Sequence, residues 1–111
     1  MDERREYPRE QLTAAMICAL ETGADSTFCL IKDVSVVGAL VECPFAEEAD
    51  HFDVGDPVSL RDVTVGDRAL FTGQTCRIAW IYKRHIGLQF DSPLLDSARD
   101  LREWLELHKW V

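Results

Sequence analysis

The chain has 111 residues, 47% of them hydrophobic, which is material for one compact core and too little for two ordinary domains. Twelve Lys and Arg against 20 Asp and Glu give a formal net charge of −8, so the surface repels polyanions at long range. Non-specific nucleic-acid binding and adsorption to anionic membranes are thereby excluded, and any anionic ligand needs a local basic pocket.

Residues 1–11 (MDERREYPREQ) are charged, contain Pro8 and lack apolar periodicity, so they read as an extended arm. The following stretch, Leu12–Leu20 (LTAAMICAL), is the longest uncharged apolar run and falls far short of the roughly 20 residues that span a bilayer. The segment before it carries four carboxylates, Asp2, Glu3, Glu6 and Glu10, against Arg4, Arg5 and Arg9, the wrong charge for a signal peptide. A soluble, cytoplasmic protein is expected. Composition favours a helix over Leu12–Leu20, whereas Leu12, Ala14, Met16, Cys18 and Leu20 alternate as a strand does, so the local signal leaves both readings open.

From there to about residue 90 the pattern is β. Thr27–Asp33, Val36–Cys43 and Val58–Val63 are short apolar or β-branched runs, the last following the turn Gly55-Asp56-Pro57. Val65–Arg68 reads as a further turn. Ala69–Thr72 and Gln74–Tyr82 read as one long strand bulged at Gly73, and Ile86–Phe90 follows a tight connection at Lys83–His85. This spacing predicts a small antiparallel barrel or sandwich over residues 12–91. Over residues 92–111, Leu94, Leu95, Ala98, Leu101, Leu105 and His108 fall at helical spacing, with Pro93 suited to the first turn and Ser92 to the cap. Trp104 and Trp110 either seat that helix on the barrel or serve a partner.

Cys18, Cys29, Cys43 and Cys76 each lie in an apolar stretch with no C-x-x-C spacing, so they read as small hydrophobes in a reducing compartment. His51, His85 and His108 lack metal-ligand spacing with them, and nothing marks a nucleophile or a paired acid and base. A non-enzymatic protein without metal or cofactor is expected.

Two strings carry chemistry. Arg4-Arg5-Glu6-Tyr7-Pro8-Arg9 sets three guanidinium groups on the arm, and Asp33-Val34-Ser35-Val36-Val37-Gly38 falls at a strand-to-strand turn. In that order they match R-R-x-x-x-R followed by D-x-S-x-x-G, and with Ile86-Gly87-Leu88-Gln89-Phe90 and a final helix the chain resembles the PilZ domain family over nearly its whole length. The resemblance implies an all-β fold, a six-stranded antiparallel barrel with a C-terminal α-helix, in which Leu12–Leu20 is a strand. It also implies a receptor for the second messenger cyclic di-GMP that signals to a downstream protein in motility, biofilm or virulence control.

The residues suit that ligand. Arginine's planar fork fits phosphate oxygens and the O6/N7 edge of guanine, so Arg5 and Arg9 are the expected contacts. Asp33 can accept from guanine N1–H and N2–H, Ser35 can add a hydroxyl on the same strand face, and Gly38 is expected to take a positive φ in the turn. An arginine at Arg4 accompanies, in the family, two intercalated ligand molecules, and a third guanidinium offsets the charge of four phosphates. Trp80 either stacks on a guanine or joins Ile78 and Tyr82 in a core-facing stripe. The alternative function is a PilZ-like adaptor that binds protein without nucleotide.

Overall fold

The computed structural model describes residues 8–23, 25–62 and 70–111. Six strands, β1 (Glu10–Glu21), β2 (Ser26–Val34), β3 (Gly38–Glu42), β4 (Pro57–Asp62), β5 (Thr72–Tyr82) and β6 (His85–Phe90), close into an antiparallel barrel in the order β1-β2-β3-β6-β5-β4. The helix α1 (Ala46–Ala49) lies between β3 and β4, and α2 (Ala98–Leu107) follows β6. Closure pairs β1 with β4 through Cys18↔Asp62 to Glu21↔Ser59.

The expected six-stranded barrel is thus the fold, and Leu12–Leu20 is strand despite its helix-forming Ala, Met and Leu. Tertiary burial decides it: Met16, Cys18 and Leu20 all point into the core, which a strand's period of two permits. They meet Cys29, Ile31, Val41, Leu60, Phe71, Cys76, Ile78 and Ile86, and Phe71 packs edge-on against Phe90 at 5.9 Å. All four cysteines are buried in this core. The bulge expected at Gly73 is present: Leu60 pairs with Gln74 and Arg61 with Thr72, leaving Gly73 unpaired at φ 108°.

Two expectations are corrected. β1 begins at Glu10, so the arm ends two residues earlier than its expected boundary at residue 11. The final helix begins at Ala98 rather than after Pro93, because Ser97 is its cap and its hydroxyl accepts from the Asp100 N–H at 3.1 Å. Upstream of that cap, Leu94 N–H donates to Val36 O at 2.8 Å and ties the segment to the barrel. The short helix α1 was not expected; four residues carry too little periodicity to announce it.

α2 buries Leu101 and Leu105 against the core, with Trp104 and Trp110 partly buried beside them. It docks at the start of β1, where Arg102 Nη1 donates to Glu10 Oε1 at 2.7 Å and Trp110 O accepts from the Thr13 N–H at 2.8 Å. Among the described residues no helix is long and apolar enough to cross a membrane.

Candidate functional site

The turn between β2 and β3 is built by its own side chains. Ser35 N–H donates to Gly38 O at 2.8 Å, while Ser35 Oγ accepts from Val37 N–H at 3.2 Å. A serine hydroxyl that holds a local amide fixes the turn without outside help. Gly38 opens β3 directly beside Gln89 of β6, and a Cβ at Gly38 would lie 2.4 Å from Leu88 O. The expected positive φ is corrected here: the positive-φ glycines among the described residues are Gly55 and Gly73. What Gly38 supplies is the missing Cβ, since the opposing atom is backbone and cannot rotate away.

Two register shifts re-aim side chains toward this turn. Strict alternation from buried Ile31 would send Asp33 into the core, but the β2–β3 register slips between Ile31↔Val41 and Asp33↔Leu40, so Asp33 turns to the outer face with Leu40. It is nevertheless covered, at 7% exposure. In β5 the register slips between Ile78↔Leu88 and Trp80↔Gly87, so Ile78 points inward while Trp80, 39% exposed, points out over Gly87. The core-facing stripe of Ile78, Trp80 and Tyr82 therefore does not form: Ile78 alone of the three is buried, and Tyr82 lies under the Lys83 ammonium at 5.3 Å.

Arg9 completes the site from the other side. Its Nη1 reaches Asp33 Oδ1 at 3.4 Å, with the guanidinium largely in solvent. Burial pushes the Asp33 carboxyl above the ordinary aspartate value, and the Arg9 charge opposes that only in part. Arg9, Ser35, Gly38 and Trp80 line one outer-face cavity of about 470 Å³ with Val37, Gly87, Leu88 and Gln89, and Asp33 sits beside it through Arg9. That volume is in the usual range for a small-molecule site. Ser35 lies past the end of β2, so the turn rather than a shared strand face brings it to the cavity. Arg4 and Arg5 lie outside the described residues. Glu10, next to Arg9, is held by Arg102.

The family model for the PilZ domain matches residues 3–107. The chain belongs to the PilZ domain family. Among solved structures, it is similar to the PilZ domain with c-di-GMP of YcgR from Escherichia coli, with a TM-score of 0.70 and 12% identity over 96% of this chain and 92% of that one. It is also similar to the Bacillus subtilis inhibitor of motility (MotI/DgrA), with a TM-score of 0.63 and 16% identity, covering 96% of this chain and 50% of that one. No curated protein matches the chain.

Within this PilZ barrel, Gly87 and Gln89 line the cavity; the string Ile86–Phe90 helped to carry the family resemblance, but no site role was expected of it. The signal was available in β6, where Ile86, Leu88 and Phe90 are buried and the alternate positions face outward beside Gly38.

Proposed function

We propose that this protein is a non-enzymatic receptor for cyclic di-GMP that relays occupancy to a partner protein. The observation that carries the reading is the convergence of Arg9, Ser35, Gly38 and Trp80 on one outer-face cavity, with Asp33 paired to Arg9 beside it.

The Arg9–Asp33 contact is long, at 3.4 Å, with the guanidinium largely in solvent, so a phosphodiester or a guanine O6/N7 edge competes well for it. Release of Arg9 frees the Asp33 carboxylate to accept from guanine N1–H and N2–H, with the Ser35 hydroxyl alongside. Trp80 offers a stacking face to a base. Arg4 and Arg5 supply further guanidinium groups, and three arginines suit two intercalated ligand molecules with four phosphate charges between them. A chain of net charge −8 gains its affinity for such an anion locally.

Position supports the relay. Glu10 is adjacent to Arg9 and held by Arg102 of α2, and Trp110 O receives Thr13 N–H, so the start of β1 beside Arg9 shares one surface with α2. A partner docked there senses the arm drawn against the turn. The name of the similar Bacillus subtilis protein ties it to motility, which makes motility the first process to examine, ahead of biofilm and virulence control, in a cytoplasmic setting.

Calorimetric titration with cyclic di-GMP, with GTP as control, tests the proposal. Saturable binding near two ligands per chain is expected, weakened by about 10- to 150-fold in Arg9→Ala, the range for a lost hydrogen bond to a charged group. A folded protein that binds no cyclic di-GMP would reject the receptor and leave the adaptor reading.

A further inference from the structure

Gly87 is buried on the outer face of β6, and what buries it is Trp80. A Cβ built at Gly87 would stand 2.2 Å from Trp80 Nε1, 2.3 Å from Cε2 and 2.7 Å from Cδ1. No side chain tolerates such distances, so the indole rests on the bare backbone of β6. The two residues are direct cross-strand partners, and the register shift after Ile78 is what brings Trp80 to this partner.

Neither residue explains the other by barrel stability. Glycine inside a strand costs backbone entropy and contributes no packing, and an indole with 39% exposure is a poor use of a large apolar group. Gly87 carries no positive φ, so no turn or backbone strain requires glycine there. Both residues line the cavity that holds Arg9, Ser35 and Gly38. A flat ring laid on a glycine, with its other face outward beside cationic and hydroxyl groups, is an arrangement for receiving a planar base.

We propose that Gly87 is a positioning residue for the ligand site: it seats the Trp80 indole as a preset stacking wall of the cavity. This deepens the receptor reading and rests on it. Gly38, 2.4 Å from a backbone oxygen, secures the fold of the turn, whereas Gly87 faces a side chain that rotates away when crowded. A methyl at residue 87 therefore displaces the indole and leaves the barrel closed. A preset ring loses less entropy on binding than one that must be ordered by the ligand.

The test is a double-mutant cycle with Gly87→Ala, Trp80→Ala and the pair combined, read by cyclic di-GMP affinity and, without ligand, by the Trp80 indole N–H resonance. Trp80→Ala is expected to weaken binding about 5- to 150-fold, the range for a lost base–aromatic stack. Gly87→Ala should cause a comparable loss with Trp80 present, less than about twofold in its absence, and should shift the indole resonance. The proposal is overturned if Gly87→Ala leaves affinity and resonance unchanged, or if its loss persists in the Trp80→Ala background. Should Gly87→Ala fail to fold, the combined variant should still fold; unfolding of both would place the clash elsewhere and reject the seat. Should the wild type bind no cyclic di-GMP, the receptor reading falls, and the indole shift alone decides whether Gly87 seats Trp80.

Discussion

Two hollows lie near opposite ends of β1, and they differ in a way that size does not predict. The hollow beyond Glu21 is the larger, about 730 Å³ against about 470 Å³ for the one beside Arg9. Its lining includes the carboxylates Glu21, Asp25 and Asp91, and Glu21 is paired with Arg61 at 2.9 Å. The smaller hollow has an exposed guanidinium, a hydroxyl-built turn, a glycine set against a facing backbone, a second beneath a ring, and an outward indole. For a dianionic, purine-bearing ligand the smaller is the complementary one. An acidic chain needs a local cation to hold an anion, and in the smaller hollow Arg9 is that cation.

Two predictions sharpen the contrast. The larger effect is expected at Asp33: Asp33→Asn should weaken cyclic di-GMP binding about 10- to 150-fold, as loss of a charged acceptor does, measured by titration. The carboxyl's value is raised in the folded state, so the folded protein holds that proton more tightly than the unfolded chain. Its contribution to stability is present at low pH and is lost as pH rises through the raised value. Ligand binding has the opposite sign, since it needs the carboxylate: affinity should fall as pH drops through a value above the ordinary 3.8, and Asp33→Asn should abolish that limb. Urea denaturation at neutral pH should then find Asp33→Asn no less stable than the wild type.

The smallest effect belongs to the larger hollow. Asp25→Asn combined with Asp91→Asn should change affinity by less than about threefold, and toward tighter binding, because charges this remote act only through screened repulsion. A tenfold loss in that variant would put the ligand in the acidic hollow and break the comparison.

How far the sequence announced this site depends on which residue is asked about. The motifs around Arg9 and Asp33–Gly38 are local strings, and the alternation in β6 and the glycine signal at Gly73 were legible from a few neighbours. The facing of Asp33 and Trp80 was not, because the register shifts that turn them outward fall at Lys32 and Ala79, residues without a glycine's or proline's mark. Ile78, Trp80 and Tyr82 read as a stripe only while the strand is assumed regular. Gly87 stood in a string that carried the family resemblance, but its contact with Trp80 was not legible there, since that constraint is a ring arriving from another strand. The role of Arg4 and Arg5 rests on their motif alone.

Where the ligand sits is tested most directly by amide and indole chemical-shift mapping during a cyclic di-GMP titration. Perturbations are expected at Ser35, Gly38, Gly87, Gln89 and the Trp80 indole, with Ser26, Ser59 and Thr75 unchanged. Perturbations centred on Ser26, Ser59 and Thr75, with the Arg9 side silent, would contradict that placement.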